Sequence, residues 1–191
     1  MRSLFIGGVN GVGKSFIIEN ICKRLSHAKR VGDASSFIEY LKLNKGDYKA
    51  LRILNSRYKN IKYGEFVKEI MVKNRDSDNI LLFDGHYLNF NENQVIDVTG
   101  PWMTLIDKLV LIESKADILY SRIVRDLTIK DREISKNILN KKLVLKKLTT
   151  ESVATKNKYK EVCQSFKKEE IIISNDLARN KAIEQVLSII V

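Results

Sequence analysis

Gly8-Val9-Asn10-Gly11-Val12-Gly13-Lys14-Ser15 is the stretch whose residue types and spacing could most directly do chemistry. It fits the pattern Gly-x-x-x-x-Gly-Lys-Ser/Thr, and it lies between an apolar run and an amphipathic one, the setting a phosphate-binding loop needs. Glycines let such a loop curl until successive backbone N–H groups face phosphate oxygens, and the helix that follows adds the positive end of its dipole. Lys14 is therefore predicted to neutralise the terminal phosphates of ATP, and Ser15 Oγ to ligate Mg²⁺. Gly8, Asn10, Gly11, Val12 and Gly13, with Phe16 at the helix start, complete the candidate nucleotide-binding set.

Asp84 ends the apolar run Ile80-Leu81-Leu82-Phe83. A carboxylate on a rigid strand end can be aimed at a metal as a loop Asp cannot, so Asp84 is the second candidate Mg²⁺ ligand. His86, two residues on, is a candidate for contact with the acceptor; with no carboxylate or Cys at ligand spacing it is not read as a metal ligand. Arg122, Arg125 and Arg132 fall in Tyr120–Ser135 of an otherwise Lys-rich chain. Guanidinium groups delivered by a mobile segment would neutralise charge on a transferring phosphoryl group while excluding water. Asp33 could receive a proton from an acceptor or cap the next helix. Arg52 could hold an acceptor's phosphate.

The elements that must position these groups are legible as continuous apolar runs. Ser3–Gly8, a weak run near Lys29–Val31, Asn79–Asp84, Lys108–Glu113 and Glu170–Ser174 lack the alternation of a half-exposed strand and alternate with helical patterns. Such runs are strands buried on both faces of a parallel sheet, so the fold class is α/β in three layers. A helix over Lys14–Ser26 presents Ile17, Ile18, Ile21 and Leu25 on one face. A second begins near Asp33 or Ser36, since Ser36 and Glu39 have capping-box spacing. Leu41–Asn74 reads as helices joined near Lys59–Gly64, and Ser135–Lys168 as helix with a break around Thr149–Thr155.

At 191 residues the chain is one ordinary domain, and 44% apolar content lies in the globular range. No apolar run approaches the roughly 18 residues of a membrane span, and the N-terminus lacks a secretory apolar region, so a cytoplasmic protein is expected. Cys22 and Cys163 are read as reduced, partly buried thiols. A net charge of +11 favours anionic partners. Because the lysines are interleaved with acids, a small nucleotide substrate is favoured over a nucleic acid; the oligomeric state is left open.

The whole chain resembles the archaeal-type adenylate kinases and, more loosely, the nucleoside-monophosphate kinases of the P-loop class. The resemblance rests on Gly8–Ser15, on Gly32-Asp33 opening a helix, on Arg52, on Phe83–His86, on Ser121–Thr128 and on Asn175 after the last strand. It implies a single P-loop kinase domain over residues 1–191 with five parallel strands in the order 2-3-1-4-5. It further implies an acceptor-binding helical region at about 33–75, an arginine lid at about 120–135, ATP and Mg²⁺ as cofactors, and AMP-like acceptors. By resemblance, Lys14 and Ser15 hold phosphate and metal, Arg52 the acceptor phosphate, Arg122 and Arg125 the transferring group, and Asn175 lies near the adenine. The family pattern has arginines at the position of Ile129 and near Asp131, whereas here the nearest is Arg132. Two other readings stay open: a kinase of a nucleoside or polynucleotide 5′-hydroxyl with Asp33 as base, and an ATP-dependent RNA or ribonucleoprotein assembly factor.

Overall fold

The structure, a computed structural model, describes residues 1–91, 94–129, 140–176 and 179–190. Five parallel strands form the sheet: β1 (Arg2–Gly7), β2 (Ala28–Val31), β3 (Ile80–Asp84), β6 (Lys108–Glu113) and β7 (Ile171–Ser174). Their order across the sheet is β2-β3-β1-β6-β7. Counted among themselves, the strands run 2-3-1-4-5, as expected. A separate antiparallel hairpin, β4 (Leu88–Asn91) with β5 (Gln94–Asp97), interrupts the chain after β3. The helices are α1 (Lys14–Arg24), α2 (Ala34–Tyr40), α3 (Tyr48–Ile53), α4 (Ser56–Asn74), α5 (Ala116–Ile129), α6 (Lys141–Ser165) and α7 (Arg179–Ile190), with a 3₁₀ helix at Pro101–Leu105.

Alternate residues of each central strand enter opposite cores, which is why the strands read as unbroken apolar runs. Leu4, Ile6, Leu82, Val110 and Ile112 join Ile17, Ile18 and Ile21 of α1, Leu119 of α5 and Ile183 and Val186 of α7 on one face. Phe5, Leu81, Phe83, Leu109 and Leu111 join Val67 of α4, Trp102, Met103 and Tyr159 of α6 on the other. Register then fixes the site. Ile6 of β1 pairs with Asp84 of β3 and with Val110 of β6, so the loop leaving β1 emerges beside the acidic end of β3. At Gly7 a Cβ would fall 2.2 Å from the Tyr87 ring, so only glycine lets the strand end pass this aromatic.

Two local expectations are corrected. α3 and α4 meet at Leu54-Asn55, not near Lys59–Gly64, because Asn55 Oδ1 accepts from the N–H groups of Arg57 and Tyr58 and caps α4 there. Gly64 instead lies inside α4 against Trp102, where an added Cβ would sit 3.6 Å from the indole. α6 runs unbroken through Thr149–Thr155; Thr149 and Thr150 donate back to the carbonyls of Leu145 and Lys146 rather than ending the helix. The hairpin was not foreseen, since its strands are short and rich in Asn and Gln. Of the two proposed starts for α2, Asp33 is the cap: its Oδ1 accepts from Ser36 N–H at 2.8 Å. Among the described residues no helix is long and apolar enough to cross a membrane.

Candidate active site

The loop Gly8–Gly13 joins β1 to α1, and Gly13 takes φ +93° immediately before the helix. No side chain caps α1 and no acid lies in its first turn, so its leading N–H groups are disposed to meet an anion. Lys14 is buried, at 7% exposure. Its Nζ donates to the carbonyls of Gly8 at 3.1 Å and Val9 at 3.2 Å, folding the side chain back over the loop. Burial pushes its ammonium down to about 8, although the Asp84 carboxylate acts in the opposite direction. A cleft of about 880 Å³ opens over this loop, and Asn10, Gly11, Gly13, Lys14, Ser15 and Phe16 line it. Gly8 contributes its carbonyl, while the Val12 side chain is buried in the core.

Ser15 Oγ donates to Asp84 Oδ2 at 2.7 Å. These two oxygens could serve as donors to a hard cation shared with phosphate oxygens. A cationic group already lies on that set: Arg30 Nη2 donates to the same Asp84 oxygen at 2.7 Å. Hydroxyl, carboxylate and bound positive charge together fit Mg²⁺ at Ser15 and Asp84. Among the described residues there is no cluster of three or more His, Cys, Asp and Glu for a metal, so such an ion would depend on nucleotide oxygens for its remaining ligands. Sequence reasoning missed Arg30. The only available signal was its position at the carboxyl end of β2, one strand from Asp84.

His86 Nδ1 lies 2.8 Å from the Gly8 carbonyl. A carbonyl only accepts, so Nδ1 carries the proton and Nε2 remains an acceptor. Desolvation, then the Lys14 charge, push this imidazole down to about 3. His86 lines both the cleft over the loop and a second chamber of about 320 Å³. The second chamber is walled by Phe37 and Tyr48, by Tyr63 of α4 and by Trp102, with Lys59, Asn60 and the hairpin residue Asn89 at its polar edge. Asp84 and Gly85 border both spaces. Asp33 lines the cleft over the loop; its Oδ2 lies 3.8 Å from Arg30 Nε, and its other oxygen caps α2.

Arg122 and Arg125 both belong to α5 and line the cleft. Arg122 is held in place, donating to the carbonyl of Asn175 at 2.6 Å and reaching that of Val12 at 3.4 Å. Asn175 is buried and donates its Nδ2 to the Val12 carbonyl at 2.6 Å, so it braces the loop from behind while lining the cleft. The structure thus gathers Lys14, Ser15, Asp33, Asp84, His86, Arg122, Arg125 and Asn175 around one space. Arg132 lies outside the described residues, as does the side chain of Arg52. Arg52 is on α3, whose Tyr48 and Leu51 line the second chamber.

No family model matches the chain, and no curated protein matches it in sequence. Solved structures do. A shikimate kinase from Bacteroides thetaiotaomicron superposes with a TM-score of 0.56 at 12% identity, over 99% of this chain and 98% of that one. A shikimate kinase from Acinetobacter baumannii, solved in complex with shikimate, gives 0.57 at 14% identity, over 100% of this chain and 93% of the other. At such identities the likeness is one of fold, and it extends over essentially the entire chain: the molecule has the α/β fold of the P-loop kinases.

Proposed function

We propose that the protein is an ATP-dependent kinase that transfers the terminal phosphoryl group to a small, ring-bearing acceptor held in the second chamber, with a nucleoside monophosphate as the leading acceptor class. One observation carries the reading. A phosphate-binding loop with its buried Lys14 and a chamber walled by aromatic rings meet at the same residues, Asp84, Gly85 and His86. An ATP tail on the loop and an acceptor in the chamber would therefore approach each other in line. Aromatic walls suit a flat base, and Lys59 with Arg52 would supply positive charge for a monophosphate.

Ser15 and Asp84 would hold Mg²⁺, which supplies charge neutralisation at the phosphate oxygens. Lys14 would place the remaining positive charge against the tail, Asn175 and Arg122 would keep the loop's carbonyls turned away from it, and Arg125 would face the transferring group. No covalent intermediate is required. The test is ADP formation, followed by a coupled assay, with each nucleoside monophosphate in turn. ADP produced with one of them supports the reading; a protein that binds ATP yet turns over with none refutes that acceptor class.

The second reading, transfer to a hydroxyl, is favoured by Asp33. It lines the cleft next to Gly32 and Ala34 of the chamber wall, and one of its oxygens is not used in capping α2. The fold neighbours, named as shikimate kinases, point the same way. Asp33→Asn discriminates. A hydroxyl kinase loses turnover with ATP affinity intact, whereas a monophosphate kinase, whose acceptor is already ionised, keeps most of its activity.

A further inference from the structure

Three carboxylates converge on one guanidinium at the floor of the cleft. Arg30 Nη2 donates to Asp84 Oδ2 at 2.7 Å and lies 3.4 Å from Ser15 Oγ. Its Nη1 faces Glu19 Oε1 at 3.5 Å, and its Nε faces Asp33 Oδ2 at 3.8 Å. The Asp84 side chain is only 10% exposed, so its charge is poorly served by water and needs a partner. Asp84 Oδ2 accepts from Ser15 and Arg30 together, which occupies both lone-pair sites of that oxygen. A divalent cation held between Ser15 Oγ and the Asp84 oxygen that faces it needs the electrons of that same Oδ2. Metal and guanidinium therefore compete for one oxygen.

Building on the proposed function, we infer that Arg30 is a positioning residue: a tethered counter-ion that holds Asp84 and Ser15 in place and that a divalent cation must displace. Two consequences follow from the geometry. A bare divalent ion binds weakly, because it must evict a charge attached to the sheet, while an ion arriving with nucleotide phosphates brings extra ligands that tip the competition. Displaced from Asp84, Arg30 still has Glu19 and Asp33 within reach, so the released charge stays at the cleft that both of them line.

The probe is Mn²⁺ alone, whose oxygen preference matches that of Mg²⁺, titrated into nucleotide-free protein and followed by water-proton relaxation. Arg30→Met is expected to bind Mn²⁺ at least tenfold more tightly than the unmodified protein and to unfold at a lower temperature without metal. Asp84→Asn abolishes binding in either background. An arginine with a merely structural role would lower the unfolding temperature and leave Mn²⁺ affinity unchanged or weaker, and that result overturns the inference. If Arg30→Met does not fold, Arg30→Gln, which keeps a hydrogen-bond donor but removes the charge, is measured the same way; affinity equal to that of the unmodified protein again overturns it. Binding of a non-hydrolysable ATP analogue with Mg²⁺ is measured alongside. Failure there undermines the proposed kinase, whereas unaltered Mn²⁺ affinity with normal analogue binding undermines only the role of Arg30.

Discussion

Lys14 and His86 show how burial tunes single groups. With Lys14 lowered to about 8, a growing fraction of the free protein has a neutral amine as pH rises through that value. The affinity of a non-hydrolysable ATP analogue is expected to fall between pH 7 and 9 and to take up a proton on binding. Isothermal titration in buffers of different ionisation enthalpy checks both, and an affinity flat across that range would contradict the assignment of Lys14. His86 works in the opposite pH direction. Its folded value, about 3, lies below the ordinary 6.5, so the unfolded chain binds the proton more readily between these limits. Its contribution to stability is full above about pH 6.5 and is lost as pH falls toward 3, by at most about 1.4 kcal/mol per pH unit. Denaturant unfolding of the parent and His86→Asn at pH 7 and pH 5 should show a smaller acid loss in the variant. Lys14, Ser15 and Asp84 were legible in the sequence because each is fixed by its immediate neighbours. Arg30 was not: its contact with Asp84 arises only when β2 is laid beside β3, with Arg30 opposite Leu82.

At the scale of elements, the strands could be read because burial on both faces leaves an unbroken apolar run, and α1 because its apolar stripe has helical spacing. The hairpin could not, since its strands are four residues each and, of its described residues, only Phe90 packs against a core cluster, while Asn89, Ile96 and Asp97 line the chamber. It is nonetheless anchored. Lys158 Nζ of α6 reaches Asp97 Oδ2 at 2.7 Å, and Asn60 of α4 donates to the carbonyls of Asp97 and Thr99 at 3.3 Å each. Among the described residues, the hairpin lines the second chamber through Asn89, Ile96 and Asp97 and contributes none to the cleft over the loop. Loosening it should therefore affect the acceptor and spare ATP. Lys158→Met, a change outside both spaces, is expected to raise the KM for the acceptor severalfold with the KM for ATP unchanged. Steady-state kinetics with each substrate varied in turn decides the point; a parallel rise in both constants would mean that the hairpin does not act through the acceptor chamber.

Across the whole molecule, the charge of +11 was legible as a preference for anions but not for which anion. On α6 several of the lysines are already engaged, Lys147 with Glu151, Lys156 with Glu113 and Lys158 with Asp97 and Glu161, which weakens the case for a continuous nucleic-acid surface. The loop, by contrast, ties the two cores together. Val9 and Val12 belong to the core beneath α1, while Gly7 passes against Tyr87 of the opposite core. A ligand on the loop should consequently stabilise the domain as one unit rather than a local patch. At a hundred times its dissociation constant, an ATP analogue with Mg²⁺ stabilises the folded state by about 2.7 kcal/mol. For a chain of this length that corresponds to a rise of roughly 5–10 °C in the unfolding midpoint. Scanning calorimetry should show one transition moving upward intact, and Lys14→Ala should abolish most of the shift. A transition that splits in two, with only one component responding to the analogue, would show that the loop does not couple the two faces of the sheet.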